Sequence, residues 1–126
     1  MNLLPSANLL EEAGIGIKGK TLFINMIPAE ASTGILLRND LKGTNIDYEL
    51  PGYYKSTYQL IARAPNYSDG EALIKSAVLA LTIKVETQVE TQRFKYMRPD
   101  RLPVVFPLSK GSLLEFAVNM ECCWTE

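Results

Sequence analysis

Leu114-Glu-Phe-Ala-Val-Asn-Met-Glu-Cys-Cys-Trp124 carries the clearest periodicity in the chain. In an extended backbone Leu114, Phe116, Val118, Met120, Cys122 and Trp124 fall on one face. Glu115, Ala117, Asn119, Glu121 and Cys123 fall on the other. One side is core and the other is wet or meets a partner, which is the signature of an antiparallel strand. Tyr53 to Ala64 repeats the pattern, with Tyr54, Tyr58, Leu60 and Ala62 interleaved with Lys55, Thr57, Gln59 and Arg63 until Pro65 closes the run.

Outward from these two strands, Thr21–Ile27 reads as a strand ended by Pro28, and Gly34–Arg38 as a second short one. Between Asn39 and Pro51 the chain turns polar, with Gly43, Asn45 and Asp47 suppressing regular structure. That predicts a loop of about 13 residues, long enough to be a candidate for function. Two helices are expected. Ser6 caps a short one ending at Gly14, with Leu9, Leu10 and Ala13 as its apolar side. The stronger one opens on a Ser68–Glu71 capping box and repeats Leu73, Ile74, Ala77, Val78 and Leu81 at helical spacing.

Lys84 to Met97 alternates Thr, Val, Gln and Glu before Phe94, Tyr96 and Met97 restore bulk. Its β-branched content predicts a strand with little to bury, as a protruding hairpin arm or an edge strand. Pro99, Pro103 and Pro107 punctuate a short apolar strand at Val104–Phe106, and Gly111 marks a turn. The order of elements predicts a single α+β domain over 1–126: an antiparallel-rich mixed sheet, helices packed on one face, and a β-arm.

Composition narrows function. At 126 residues and 47% hydrophobic the chain can bury a core without a metal or disulfide staple. Its longest apolar runs fall far short of the ~20 residues that span a bilayer. Met1-Asn-Leu-Leu-Pro has no basic residue before an apolar core and so does not read as a secretory signal; a protein of the cytoplasm, or of something assembled there, is expected. With no histidine, Ser-His-Asp, Cys-His and two-His-one-carboxylate sites cannot be built from this chain alone. Cys122 and Cys123 are adjacent and point to opposite faces, which favours neither a disulfide nor a shared metal, so a core thiol beside an edge thiol is expected. No metal or cofactor is implied.

The carboxylate pairs Glu11/Glu12, Asp47/Glu49 and Glu86/Glu90 sit in a helix, a loop and an exposed strand, and read as solvated charges. Gly14-Ile-Gly-Ile-Lys-Gly19 lacks the spacing of a phosphate-binding loop. Arg93, Lys95, Arg98 and Arg101 form a basic cluster with Phe94 and Tyr96 interleaved, suited to DNA or to an acidic surface of another subunit. The net charge of −1 favours the subunit, since a dedicated nucleic-acid binder is clearly basic. Ile46, Tyr48, Leu50, Tyr53 and Tyr54 give the polar loop an apolar and aromatic density suited to an interface.

At this loop the sequence resembles the tail terminator, or minor capsid, proteins of long-tailed bacteriophages. The residues that carry the likeness are Gly34-Ile-Leu-Leu-Arg38, Ile46-Asp-Tyr-Glu-Leu-Pro-Gly-Tyr53 and Tyr58-Gln-Leu-Ile-Ala-Arg63. Asp69-Gly-Glu-Ala-Leu73 and Ala80-Leu-Thr82 follow, opening and closing a helix. The resemblance implies a structural virion protein without catalysis, forming a ring, commonly of six subunits, that caps the finished tail tube. Its implied partners are copies of itself, the tail tube protein and a head-completion protein, with DNA passing through the lumen without sequence-specific binding and no membrane. A ring needs one patch that meets a different patch on its neighbour. The expected interface residues are Ile46, Tyr48, Leu50, Tyr53 and Tyr54 on one side, and Val85, Val89, Arg93 and Lys95 on the other. Another phage neck component, or a small ligand-binding module, is the alternative.

Overall fold

The computed structural model describes residues 1–108 and 112–126. In chain order its elements are α1 (Leu4–Glu12), β1 (Leu22–Ile24), β2 (Gly34–Ile46), β3 (Tyr53–Ala64), α2 (Tyr67–Leu81), β4 (Thr87–Val89), β5 (Gln92–Pro99), β6 (Val104–Pro107) and β7 (Leu114–Thr125). The strands form one sheet in the order β1-β2-β3-β7-β5-β4, with β6 also pairing β7. All pairings are antiparallel except β1 with β2. The α+β class read from the sequence is the one observed. The turn expected at Gly111 lies outside the described residues.

The two most regular stretches of sequence form the centre. β3 and β7 pair without interruption from Tyr53↔Thr125 to Ala64↔Leu114. Tyr58, Leu60 and Ala62 lie opposite Met120, Val118 and Phe116 on the inner face, all buried. Ile74, Ala77 and Leu81 of α2 and Ala7 and Leu10 of α1 close over that face. Each of these Leu and Ile side chains contributes about 1.5–3 kcal/mol by leaving water. The Tyr58 hydroxyl, wholly buried, donates to the Met97 sulfur at 3.1 Å, and burial pushes its pKa up.

Along β7's other side two strands lie end to end. β6 pairs its first half (Val104↔Ala117) and β5 its second (Arg98↔Glu121). The stretch expected as an arm or edge strand therefore divides. β4 pairs only with β5 and is the edge. β5 is no protruding arm: it lies inside the sheet with Phe94 and Met97 fully buried. The Thr, Val and Gln run hides this because one inward residue in β4, Val89, is enough to seal the core beside Phe94.

Other expectations are corrected. The region Asn39–Pro51 is mostly strand, since β2 continues to Ile46 past a break in register between Asn39 and Thr44, where Gly43 adopts φ +74°. The backbone ladder satisfies these polar residues without burial, so a polar sequence still forms a strand. β1 stops at Ile24 because Asn25 turns to φ +65°, its carbonyl oxygen Oδ1 accepting from the Asn39 amide. The α2 cap is Asn66, whose Oδ1 accepts from the Asp69 amide at 2.9 Å, while Ser68 lies in the first turn and Glu71 pairs with Lys75 at 2.7 Å. Ser6 does not cap α1 but is buried within it.

On the outer face, residues around Pro28 to Ala31 are fastened down by one side chain. Arg63 donates through Nη1 to the Pro28 and Ala31 carbonyls, and through Nε and Nη2 to Glu115 Oε2 at 3.2 and 3.0 Å. Glu115, expected on a wet face, is thereby buried. Cys123 is buried there too, beside Tyr96 across the strand, so the edge thiol expected from alternation is absent. Cys122 packs inward, and burial raises its thiol pKa to about 12.

Candidate assembly interface

Ile46 ends β2 opposite Tyr54, and residues 47–52 turn the chain into β3. The turn is held from within. Asp47 Oδ1 accepts from the Glu49 amide at 2.9 Å and the Leu50 amide at 3.2 Å, and the Tyr53 amide donates to the Leu50 carbonyl. Gly52 takes φ +80°, where a side chain is strained, and its carbonyl accepts from the Glu126 amide. This framework presents Ile46 (59% exposed), Tyr48 (92%) and Leu50 (54%) to solvent.

Tyr53 and Tyr54 differ from those three in being half-buried. Tyr54 packs against Trp124 at 5.6 Å between centroids, and Trp124 against Phe94 at 6.1 Å. This aromatic row ties β3, β7 and β5 together beneath the turn. Tyr53 lies on the opposite face, where the Cys123 thiol raises its hydroxyl pKa.

The second set of residues is dispersed. Val85 is exposed, but Val89 is buried in the core. Arg93 and Lys95 both pair with Glu86, Arg93 at 3.0 Å, and the Lys95 ammonium followed by the Arg93 guanidinium holds the Glu86 carboxyl below its ordinary range. Arg98 pairs with Glu121 at 2.7 Å and stacks over the Tyr96 ring at 4.4 Å. Among the described residues, Arg101 pairs only with Asp100, at 4.0 Å. Four cations thus face three carboxylates. Two of these, Glu86 just before β4 and Glu121 on β7, come from outside β5, so the cluster is less basic in space than in sequence.

Strand register also shows how the two sets are related. Tyr53 and Arg93 both pair with Thr125. The 47–52 turn and the β4–β5 turn therefore stand at the same end of the sheet, on either side of β7's last residues, with about 10 Å between the flanking strands.

The sequence did not single out a second exposed apolar surface at the opposite end. Leu102 (87% exposed), Val104, Val105 and Phe106 face solvent on and before β6, and Tyr67 of α2 is exposed beside Val105. The available signal was a short apolar run, bracketed by Pro103 and Pro107, with no polar face. The carboxylate pairs have ordinary roles: Glu11 accepts from the Lys18 amide, Asp47 builds its turn and Glu86 holds two cations. Among the described residues, no group of three His, Cys, Asp or Glu side chains is placed to hold a metal, and no helix is long and apolar enough to cross a membrane.

The described residues form a curled mixed sheet with two helices on one face and exposed turns at its ends. In architecture the chain is similar to one in the virion of a native gene transfer agent particle. The TM-score is 0.57 at 13% identity, covering 96% of this chain and 84% of that one. Among curated proteins no sequence relative matches. The family model for the bacteriophage tail terminator protein matches residues 9–125, and the chain belongs to that family. It is a structural protein of the phage tail, located in the virion.

Proposed function

We propose that this protein closes into a ring, of six subunits, that caps the tail tube and ends its polymerisation. The same ring presents a joining surface to the head-completion protein. It works by fit and needs neither catalysis nor a cofactor, and DNA passes through its lumen without sequence-specific contact. The observation that carries this reading is the internally braced turn holding Ile46, Tyr48 and Leu50 out of the fold. Apolar side chains exposed on a rigid support serve recognition, because their ordering cost is already met in the free protein. Support comes also from strand register, which sets Arg93 level with Tyr53 at the same end of the sheet.

Tyr48→Ala is expected to weaken subunit association by about 1–3 kcal/mol, roughly ten- to a hundredfold, as truncation of a central aromatic anchor does. The thermal midpoint of the subunit itself should be unchanged, because Tyr48 touches little of its own chain. Light scattering across a concentration series, with negative-stain images, measures both ring size and ring stability. Rings of unchanged size and stability from Tyr48→Ala and Tyr53→Ala would remove the turn from the interface. Open filaments from the unaltered protein would indicate a tube subunit instead.

A further inference from the structure

We infer that β4 of one copy pairs, edge to edge and parallel, with the far half of β2 of the next, which joins the sheets of successive subunits in the ring proposed above, on which this rests. A ring needs two different patches on one chain, and the two margins of the sheet supply them. β1 covers β2 only from Ile35 to Leu37. Leu37 pairs with Leu60 and Thr44 with Ser56, so about 13 Å of β3 separates Thr44 from the end of β1. Among the described residues, Thr44–Ile46 therefore has one open side, and β4 at the far margin has another. β6 is marginal too, beside a groove lined by Tyr67, Val105 and Phe116. Pro103 precedes it and Pro107 ends it, however, and neither has an amide hydrogen to offer a partner.

Hydrogen-bond alternation fixes what the two edges offer. The Asp47 amide donates to the Tyr53 carbonyl at 3.3 Å, so Asn45 bonds to Lys55, and the amides and carbonyls of Thr44 and Ile46 point away from β3. Glu90 and Thr91 alone join β4 to β5, so Val89 and Gln92 form the bonded pair and Gln88 points away from β5. β2 and β4 run in the same direction, because every step across β3, β7 and β5 is antiparallel. With Gln88 level with Asn45 of the next copy, its amide donates to the Thr44 carbonyl and its carbonyl accepts from the Ile46 amide, the parallel pattern. The same register sets Thr87 beside Thr44 and Val89 beside Ile46, like against like. Ile46, Tyr54, Trp124, Phe94 and Thr87 pair in one row across the sheet, so both edges stand on one face at nearly one height. The offset from that row, about 7 Å, is a stagger of the kind a closed sheet requires. Ile46, 59% exposed in the single subunit, gains cover. Glu90 and Asp47, which come level, are already held, Glu90 by Asn8 and Asp47 by the Glu49 and Leu50 amides.

The test is a full-length double variant, Asn45→Cys/Gln88→Cys, oxidised in solution, with Asn45→Cys/Leu79→Cys as control. Asn45, Gln88 and Leu79 are exposed, and the native Cys122 and Cys123 are buried and free. Within one copy β3, β7 and β5 separate β2 from β4 by about 19 Å, beyond the reach of a disulfide. The first variant is expected to give a ladder of disulfide-linked oligomers, Asn45→Cys alone to stop at dimers, and the Leu79 control to give no ladder. In the unaltered protein the Ile46 and Gln88 amides should exchange hydrogen about tenfold more slowly when assembled than when dilute. A ladder that ends at a closed species, with slowed exchange, supports both the pairing and the ring. A ladder without an upper limit supports the pairing and contradicts the ring. Closed rings in particle images without a ladder, with an equal ladder from the control, or with unchanged exchange at both amides overturn the pairing and leave the ring standing. Neither ladder nor rings overturns both.

Discussion

Glu115→Ala is expected to lower the unfolding free energy by about 3–5 kcal/mol, the cost of leaving a charge buried without its partner. Arg63 and Glu115 face each other across β3 and β7 with only 10% and 11% of their side chains exposed. Removal of the carboxylate leaves the guanidinium with the Pro28 and Ala31 carbonyls as its remaining acceptors among the described residues. Arg63→Met with Glu115→Leu should recover much of the loss, since an apolar pair of similar volume replaces the ions without a stranded charge. It should not recover all of it. The Pro28 and Ala31 carbonyls each lose the hydrogen bond they accept from the guanidinium. Urea unfolding of the three proteins measures this ordering: wild type, then the double variant, then Glu115→Ala.

Gly70→Ala is expected to destabilise by about 1–3 kcal/mol, the usual cost of overpacking a core. Helix propensity alone gives the opposite sign, because alanine is favoured over glycine inside a helix by about 1 kcal/mol. Packing decides the outcome. A Cβ on Gly70 would lie 2.1 Å from Phe116 Cε1 and 2.6 Å from Cδ1. The Phe116 ring is fully buried and also packs edge-on against Tyr67 at 5.4 Å, so it cannot swing aside cheaply. Relief would come at the floor of the groove beside β6. Smaller residues at Phe116 should therefore reverse the sign: in a Phe116→Leu background Gly70→Ala should be neutral or stabilising. Thermal unfolding of the four proteins of this cycle checks the coupling.

The sequence made the centre of the fold legible and its periphery less so, for physical reasons. β3 and β7 are long, each faces helices on one side, and their alternation follows directly. α2 was legible from Ile74, Ala77 and Leu81, although its cap lay at Asn66, one residue before the first helical turn and not at Ser68. The far half of β2 was hidden because Thr44 and Asn45 join a ladder whose bonds are made by backbone alone. β5 was hidden because its pattern breaks at Lys95, where the pairing with β7 shifts register between Phe94 and Tyr96.

The candidate interface was legible in part. Ile46, Tyr48 and Leu50 stood out as apolar groups among turn residues, and the structure exposes all three. Tyr54 looked the same in sequence, yet it supports the turn by packing on Trp124. The basic cluster looked opposed by Asp100 alone because Glu86 and Glu121 reach it only through strand pairing, which adjacency in sequence does not reveal. The β6 strip was visible as an apolar run, but a fully buried strand reads the same way. Its exposure follows from lying at the margin of β7, beyond the cover of α2.

Growing tail tubes mixed with this protein and followed by electron microscopy, with the protein carrying a visible label, test whether it functions by capping. The proposed ring predicts that elongation stops and that a closed ring of labelled subunits sits at one end of each tube. Label distributed along the tube wall, or tubes that lengthen undisturbed with no label at their ends, would contradict it.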